Sequence, residues 1–304
     1  MSVVVVGSLA LDTIQTPAGE RTEALGGSAV YFSTAASLFT SVKLVGVVGR
    51  DFPREHLDLL RRRGVDLAGL QTAEGSTFRW SGRYEGDMGQ ARTLDTRLNV
   101  FGAFRPILPE SYRDADAVFL ANIDPDLQLD VLSQIRRPRM VAADTMNLWI
   151  TSKRDRLIEI LPRVNVMILN DAEARQLTGE TGLVKAGRKI QSLGPSHVVI
   201  KKGEHGSILF SGKNVHVVPA YPLEDVRDPT GAGDTFAGGF IGYLNKMKNR
   251  LTDDNLHTAQ FYGTVLASFT VEDFSLDRLK RTTRSDLRSR LGRLVRTVSP
   301  RKLS

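Results

Sequence analysis

The sequence predicts an α/β fold, a three-layer αβα sandwich with a mostly parallel central sheet and a small β lid. Three observations predict it: β-branched apolar runs recur along the chain, helical patterns lie between several of them, and two segments break this alternation. Nearly continuous apolar runs are typical of strands buried on both faces, and their alternation with helices is typical of parallel sheets. Such sheets place their sites beyond the carboxyl ends of the strands.

Eight apolar runs bounded by Gly, Pro, Asn or Asp are the predicted strands. They are residues 3–6, 42–48, 117–121, 140–143, 164–169, 197–200, 207–210 and 215–218. The spacing predicts a helix over 53–63, with Leu57 and Leu60 on one side and Gly64 placed to end it. Shorter helices are predicted from the patterns at 111–113, 128–135 and 172–177.

Two segments interrupt the alternation, residues 13–25 and 76–99. The second carries Phe78, Trp80 and Tyr84 at even spacing between glycines, which predicts antiparallel strands with these rings on one face. Two interpretations are open: an ordinary edge hairpin, or a lid over a ligand.

The positive charge of the chain is concentrated at its C-terminus. The 304 residues carry a formal charge of +7, yet residues 278–304 contain ten basic residues and one acidic residue, so the first 277 residues are slightly acidic. The overall charge is therefore weak evidence for a nucleic-acid partner.

The basic segment also carries apolar residues at helical spacing, which predicts an amphipathic helix. These residues are Leu287, Leu291, Leu294, Val295 and Val298. Either the helix docks on the body with a solvated arginine face, or it attaches the protein to a polyanion or a membrane surface. We divide the chain into a main domain over 1–280, with the two interrupting segments inserted, and a basic helix or tail over 281–304.

The composition and the missing motifs exclude several kinds of site. The chain has no cysteine, which excludes disulfides, thiolate zinc sites and cysteine nucleophiles and is consistent with a reducing compartment. We find no targeting signal and no apolar run near the roughly 18 residues of a membrane helix, so we expect a cytoplasmic protein without a membrane partner. The five histidines lack metal-binding spacing, and P-loop, nucleophile-elbow and His-Glu-x-x-His motifs are absent from the sequence.

The most informative stretch is the segment 228–234, Asp-Pro-Thr-Gly-Ala-Gly-Asp, which precedes a helical pattern. Glycines at a helix N-terminus let backbone N–H groups approach an anion. A carboxylate among them is electrostatically out of place unless it has a role, and Asp234 would suit a general base facing a hydroxyl that attacks a phosphoryl group. The alternative is a glycine turn in which Asp234 caps the helix.

Four further segments follow predicted strands or precede helices. They are Asp12, the Gly-Gly-Ser at 26–28, the Asn-x-x-Glu at 170–173, and the turn Lys-Lys-Gly-Glu-His-Gly at 201–206. Each alone has a simpler explanation, such as a helix cap at Asn170 or a turn residue at Asp12.

Together and in this order, these motifs resemble the ribokinase-like (PfkB) family of carbohydrate and nucleoside kinases, over about residues 3–280. The resemblance implies that Asp234 is the catalytic base. It also implies that Gly231, Ala232 and Gly233 form a backbone anion hole for the transferred phosphoryl group, and that the two interrupting segments are the lid of the family.

The same resemblance implies ATP and Mg²⁺ as cofactors. Asn170 and Glu173 would govern Mg²⁺ and phosphate binding, with the ion held through water. The turn at 201–206 would be the nucleotide loop, in which Lys201, Gly203 and Gly206 contact the nucleotide.

On the acceptor side, the resemblance implies that Asp12, Gly26 and Gly27 hold the hydroxyls of the substrate. Asn122 and Asn147 lie at the ends of two predicted strands, where they either reach the substrate or serve as turn residues.

The sequence departs from the family pattern at three positions. Pro229 stands where the signature usually has Thr, although Asp228 keeps the resemblance to a site for a monovalent cation such as potassium. Tyr31 replaces the Asn of sugar-specific members and favours a nucleoside or an unusual polyol over free ribose. Gly263 replaces an Asn near the adenine site.

We therefore expect an ATP-dependent phosphotransferase that acts on a hydroxyl of a small sugar, polyol or nucleoside. A nucleic-acid partner is not expected, and the resemblance allows a homodimer formed through the lid. The alternative is a non-catalytic binding protein of the same fold that uses its basic tail on nucleic acid.

Overall fold

The computed structural model describes residues 1–86 and 88–299, and its strands form two sheets. The strands are β1 (Ser2–Val6), β2 (Ala10–Thr16), β3 (Gly19–Gly26), β4 (Ser41–Gly49), β5 (Val65–Ala73), β6 (Phe78–Arg83), β7 (Arg92–Arg97), β8 (Ala117–Leu120), β9 (Met140–Asp144), β10 (Val166–Asn170), β11 (His197–Lys201), β12 (Ser207–Ser211) and β13 (Asn214–Val218). The α-helices are α1 (Ser28–Ala36), α2 (Arg54–Arg62), α3 (Pro125–Gln134), α4 (Asn147–Ser152), α5 (Arg154–Ile160), α6 (Asp171–Thr178), α7 (Leu183–Ser192), α8 (Ala232–Lys246), α9 (Asp253–Thr270) and α10 (Arg284–Val298).

The main sheet has nine strands in the order β13-β12-β11-β10-β9-β8-β1-β4-β5. All pairs are parallel except β11–β12 and β12–β13, so the sheet is mostly parallel, as predicted. The eight predicted strands are all present. Sequence analysis missed β5, because this edge strand alternates buried and exposed residues and has no continuous apolar run.

Helices cover both faces of this sheet. In β1, Val3 and Val5 point into one hydrophobic cluster, which includes residues of α1, α8 and α9, while Val4 and Val6 point into a second cluster, which includes residues of α3, α6 and α7. The alternation follows from the period-2 geometry of a strand. It confirms the predicted three-layer sandwich.

The first of these layers holds α8 very close to α1. A methyl group added at Gly238 would collide with the backbone carbonyl of Phe32, and one added at Gly242 would lie 3.0 Å from the α-carbon of Ala36. The small residues of the entirely buried α1 allow this approach. Because α8 begins at the 228–234 segment, this packing sets where the glycine-rich turn lies relative to the sheet.

The second sheet has four strands in the order β3-β2-β6-β7 and lies outside the main sheet. Each predicted segment forms an antiparallel hairpin, and the two hairpins join through parallel pairing of β2 with β6. Asp12 lies within β2, opposite Trp80 of β6, so the interpretation of Asp12 as a turn residue is wrong. We call this sheet the lid sheet.

Two of the predicted short helices begin elsewhere. Residues 111–113 belong to a 3-10 turn, Glu110–Tyr112, and not to an α-helix. Helix α3 begins at Pro125, because Asp124 accepts a hydrogen bond from the Asp126 N–H and thereby caps it. The predicted helix over 53–63 corresponds to α2.

Helix α10 is docked on the body. Leu287 and Leu294 are buried in the same cluster as α8 and α9, whereas Val295 and Val298 face outward. The arginine face is not wholly solvated, since Arg290 is buried. Across the described residues, no helix has the length and apolar character needed to cross a membrane.

We predict that Leu294→Ala lowers the free energy of unfolding by about 2–4 kcal/mol, because the leucine side chain is fully buried and its loss leaves a cavity. Val295→Ala, at a neighbouring position that is 42% exposed, is the matched control and should change stability by less than about 0.5 kcal/mol. Urea unfolding measures both. Equal effects of the two substitutions would contradict the docked position of α10.

Candidate active site

Three neighbouring parallel strands end in polar residues at one edge of the main sheet. Strand β9 ends at Asp144, β10 at Asn170 and β11 at Lys201. In register, Asn170 lies opposite Lys201, and Ile168 of β10 lies opposite Asp144. Because the carboxyl ends of parallel strands meet at the same edge, the three side chains are brought together.

Sequence analysis missed Asp144. The sequence does indicate it, because Asp144 is an acidic residue directly after the predicted strand 140–143. A parallel sheet places its site at that end of its strands. The same reasoning singled out Asn170 and Lys201, which follow strands in the same way.

Lys201 forms an ion pair with Asp144, with 3.1 Å between Lys201 Nζ and Asp144 Oδ2. The two side chains are only 16% and 5% exposed, so water screens the pair little. Burial lowers the pKa of Lys201, but the negative charges of Asp144, Glu173 and Asp234 outweigh it and hold the pKa above the ordinary lysine value. Lys201 is therefore a cation at neutral pH.

The glycine-rich turn closes against this lysine. Gly231 is the N-cap of α8 with a φ of 73°, and a side chain there would collide with the Tyr31 ring. At Gly233, an added Cβ would lie 2.9 Å from Lys201 Nζ. Gly231 therefore requires glycine, for its left-handed conformation and its contact with the ring, whereas a side chain at Gly233 would displace the Lys201 ammonium group.

No side-chain oxygen caps the start of α8. The N–H of Ala232 donates to the Pro229 carbonyl at 3.2 Å, so it is already engaged. The next N–H groups, those of Gly233 and Asp234, belong to the first turn of the helix and have no intrahelical acceptor. They and the positive end of the helix dipole make an environment that favours an anion.

Asp234 stands in this first turn. Burial, and then the negative charge of Asp144, raise the pKa of Asp234 from 3.8 to about 7, while the positive charge of Lys201 opposes the increase. A carboxyl group with a pKa near neutrality can accept and release a proton at physiological pH.

Asn170 and Glu173 form the capping box of α6. Asn170 Oδ1 accepts a hydrogen bond from the Glu173 N–H at 2.8 Å, and Glu173 Oε2 accepts one from the Asn170 N–H at 2.7 Å. The helix-cap interpretation of Asn170 is therefore confirmed. Burial and the nearby Asp144 charge raise the pKa of Glu173 to about 7.

On the other side of the site, Asp12 of the lid sheet meets the turn before α1. A methyl group at Gly26 would overlap the Asp12 carboxylate, and Gly27, with a φ of 98°, lies directly against the Ser8 carbonyl. Burial, with the charges of Asp228 and Asp234, raises the pKa of Asp12 to about 8. These contacts bring together the three predicted acceptor-side residues, Asp12, Gly26 and Gly27.

Two tyrosines complete this acidic side. The Tyr31 hydroxyl is buried and has no hydrogen-bond partner among the described residues. Burial and the charges of Asp228 and Asp12 raise the pKa of Tyr31 well above its ordinary value, so the hydroxyl stays protonated. The Tyr84 hydroxyl lies 3.3 Å from Thr230 Oγ1, which links the lid sheet to the glycine-rich turn.

Asp228 is held by backbone groups. Its two carboxylate oxygens accept hydrogen bonds from the N–H groups of Thr230 and Ser275, each at 2.8 Å. Burial nevertheless raises the pKa of Asp228. Its role as a ligand of potassium stays a prediction.

The predicted nucleotide loop is a tight turn after β11. Gly203 and Gly206 have φ values of 53° and 79°, and the space beside Gly203 is open. Gly263 packs its α-carbon against α8, where an added Cβ would lie 2.9 Å from the Phe236 carbonyl oxygen. Contacts of these glycines with a nucleotide stay predictions.

Asn122 and Asn147 lie near this edge of the sheet but are placed differently. The Asn122 side chain accepts a hydrogen bond from Trp149 Nε1 at 3.0 Å and donates one to Met146 Sδ at 3.2 Å. Asn147 is exposed at the start of α4. Asn122 therefore supports the 146–149 segment, and a substrate contact by either residue stays a prediction.

The comparisons with known sequences agree with these motifs. A sequence model of the pfkB family of carbohydrate kinases matches residues 2–282. The cytidine kinase of Thermococcus kodakarensis is 34% identical over 249 residues, which cover 80% of this chain and 88% of that protein.

Solved structures agree with the fold. A protein assigned as ribokinase II from E. coli, in complex with ATP and Mg²⁺, superposes with a TM-score of 0.80 at 17% identity and covers 96% of this chain and 99% of its own. A nucleoside kinase of Burkholderia thailandensis, in complex with inosine, gives a TM-score of 0.79 at 17% identity over 96% of this chain and 98% of its own.

We predict that Asp12→Asn stabilises the protein more at high pH than at low pH. The folded-state pKa of Asp12, about 8, lies above the ordinary 3.8, so the folded protein holds an extra proton between these values and loses stability as the pH rises through them. The substitution removes this loss, and the gain in melting temperature at about pH 8 should exceed that at about pH 5 by roughly 2 °C or more.

Asp130→Asn is the control for this experiment, because Asp130 is exposed. Its effect on the melting temperature should be the same at both pH values. A pH-independent effect of Asp12→Asn would show that Asp12 is ionised in the folded protein and would contradict the raised pKa.

Proposed function

Because the chain belongs to the pfkB family of carbohydrate kinases, we propose that it is an ATP-dependent nucleoside kinase in which Asp234 is the general base. The reaction moves the γ-phosphoryl group of ATP to a hydroxyl oxygen of the nucleoside. The new P–O bond forms as the bond to ADP breaks, and the hydroxyl proton passes to the Asp234 carboxylate.

One observation supports this proposal above the others: a carboxyl group with a pKa of about 7 stands in the uncapped first turn of α8. The N–H groups of Gly233 and Asp234 suit the oxygens of a phosphoryl group in transfer. In the same turn, the Asp234 carboxylate would reach an incoming hydroxyl. A helix cap alone would not need Gly233, where a side chain would displace only the Lys201 ammonium group.

Lys201 is the second residue that supports the proposed reaction. It does so through its side chain, in addition to its place in the turn at 201–206. Its ammonium group lies against Gly233 while it remains paired with Asp144. A cation at this position would stabilise the negative charge of the donor phosphates. It also lowers the pKa of Asp234, which increases the fraction of base that is ionised at neutral pH.

The residues at the strand ends are compatible with Mg²⁺. The described residues contain no cluster of three or more His, Asp or Glu side chains that could hold a metal by themselves. Mg²⁺ usually takes one or two carboxylates together with water and substrate phosphates, and Glu173 with the neighbouring Asn170 can supply such contacts. The ion would neutralise charge on the phosphates as the phosphoryl group moves.

The acceptor hydroxyls would bind at Asp12. Its buried carboxyl group faces the turn at 26–27, where backbone atoms approach closely. The buried, protonated Tyr31 hydroxyl, which the Asp12 charge influences, lacks a partner among the described residues and is a further candidate donor to a substrate oxygen.

A nucleoside is the acceptor that we favour. The relative at 34% identity is named a cytidine kinase, and a close structural neighbour is a nucleoside kinase with inosine bound. In this chain, Trp80 and Tyr84 pack together with Ile14 on the lid sheet, and aromatic faces can stack on a base. Free ribose would leave this surface uncovered.

We predict that cytidine or another nucleoside supports ADP release with a kcat/KM at least about tenfold above that of ribose or an inositol, since a pocket built for a base loses its contacts with a bare sugar. A coupled assay with a panel of nucleosides, ribose and inositols measures this. Asp234→Asn is the control for the site and should lower kcat by about 10²–10⁴ while ATP affinity is kept. Equal activity with ribose, or full activity of Asp234→Asn, would contradict the proposal.

We also predict that Lys201→Met moves the acidic limb of the kcat/KM profile upward by about one pH unit, because the positive charge that lowers the pKa of Asp234 is lost. The pH dependence of ADP release measures the limb. Lys202→Met removes a neighbouring lysine that makes no such pair among the described residues, and it should leave the limb in place. If the acidic limb does not move in Lys201→Met, the result would contradict the proposed effect of the Lys201 charge on the pKa of Asp234.

A further inference from the structure

An arginine-lined cleft lies outside the candidate active site. Its volume is about 660 Å³, and it lies between the 221–227 loop, the end of α9 and α10. We call it the arginine cleft. Its basic residues are Arg227, Arg278, Arg281, Arg290 and Arg293.

Arg290 is the buried member of this group, with a side chain that is 8% exposed. Its guanidinium donates to Ser268 Oγ at 3.0 Å and to Glu272 Oε1 at 2.6 Å, and lies 3.6 Å from the centre of the Phe269 ring. Arg290 Nε is also buried and has no partner among the described residues. Arg290 therefore contributes its positive charge to the wall of the cleft, while its guanidinium is held in place by Ser268, Glu272 and the Phe269 ring.

The carboxylates of the inner wall are already neutralised. Glu272 is shared between Arg290 and Arg278, the latter at 3.2 Å, and Asp273 pairs with Arg281 at 3.0 Å. Because Glu272 carries one negative charge and pairs with two arginines, this wall keeps one excess positive charge.

Two further arginines add to this charge. Arg227 and Arg293 line the cleft, are exposed and make no ion pair with any residue that the structure describes. Opposing them are Glu224 and Asp225 on the exposed loop, where water and salt screen their charges. The unpaired guanidinium groups of Arg227 and Arg293 therefore both offer donors to the cleft.

The shape favours a small ligand over a nucleic-acid backbone. A volume of about 660 Å³ lies within the usual range of small-molecule sites. A polyanion needs a continuous basic track, whereas the acidic pair at 224–225 interrupts this one. Guanidinium groups match phosphate oxygens in geometry and charge.

We propose that the arginine cleft binds a small phosphate-bearing anion. The bound phosphate accepts hydrogen bonds from Arg227 and Arg293, and the excess positive charge of Arg278 and Arg290, which share Glu272, adds to the attraction. Arg227 of the cleft directly precedes Asp228 of the candidate active site, and the Val271 carbonyl accepts hydrogen bonds from both N–H groups, at 2.8 and 3.4 Å. The proposed anion site does not depend on which molecule accepts the phosphoryl group in the active site.

The test is a calorimetric titration of the full-length protein with pyrophosphate. The protein is first saturated with a non-hydrolysable ATP analogue, so that the anion site at α8 is filled, and the buffer contains salt near 0.15 M to suppress weak surface binding. We expect one additional pyrophosphate site. The double variant Arg227→Ala/Arg293→Ala should bind pyrophosphate about tenfold more weakly or worse, since two charge-assisted contacts are lost.

Arg288→Ala/Arg296→Ala is the matched control, because it removes the same charge from exposed positions of α10 outside the cleft lining. It should leave pyrophosphate binding within about twofold.

Three results would overturn the proposal. They are the absence of an additional pyrophosphate site, equal weakening in the two double variants, and tighter binding of a single-stranded oligonucleotide that depends on Arg288 and Arg296. The last result would instead favour a polyanion surface on α10.

Discussion

The candidate site depends on how its negative charges are buried. Asp144, Glu173 and Asp234 lie close enough to influence one another, and burying several carboxylates together is unfavourable unless a cation or a proton compensates them. Lys201 supplies the cation, paired with Asp144 at 3.1 Å, and the raised pKa values of Glu173 and Asp234 show that the compensation is partial.

A site with this residual negative charge is suited to receive Mg²⁺ and to hold a base near neutral pKa. Stability is lower as a result, which is typical of functional sites.

Close backbone approaches then fix the distance between the two halves of the site. Gly231 lies against the Tyr31 ring, and Gly26 lies against the Asp12 carboxylate, so the glycine-rich turn, α1 and the lid sheet meet at van der Waals contact. The Tyr84–Thr230 contact adds a second connection between the lid sheet and the turn. A phosphoryl transfer requires donor and acceptor within a few ångströms, and this packing brings the predicted acceptor residues to the start of α8. The same glycines have no tolerance for a side chain, which explains their place in the motifs.

Much of the fold could be predicted because its strands are buried on both faces. The continuous apolar runs of β1, β8 and β10 have no competing interpretation, whereas the half-exposed edge strand β5 has a pattern that a loop could share. For the site, residues within compact motifs, such as Asp234 and Asn170, were found by local spacing. Asp144 carried a local signal that was overlooked, but its ion pair with Lys201, 57 residues away along the chain, follows only from the order of the strands. The buried position of Arg290 was missed although it lies three residues after Leu287 and four before Leu294, because its charge assigned it to the arginine face.

The sequence by itself determined the fold class, the family resemblance and the positions of the glycine-rich turn, the capping residues and the basic segment. These features are local: a few neighbouring residues set a strand, a helix start or a left-handed turn. The tertiary structure alone decided which side chains share an environment, such as Lys201 with Asp144, Asp12 with Asp228 and Arg290 with Glu272. The pKa of a carboxyl group depends on its burial and on charges from distant parts of the chain, and the sequence order does not contain those distances. The chemistry of the site therefore appears only when the strand ends, the first turn of α8 and the lid sheet are placed together.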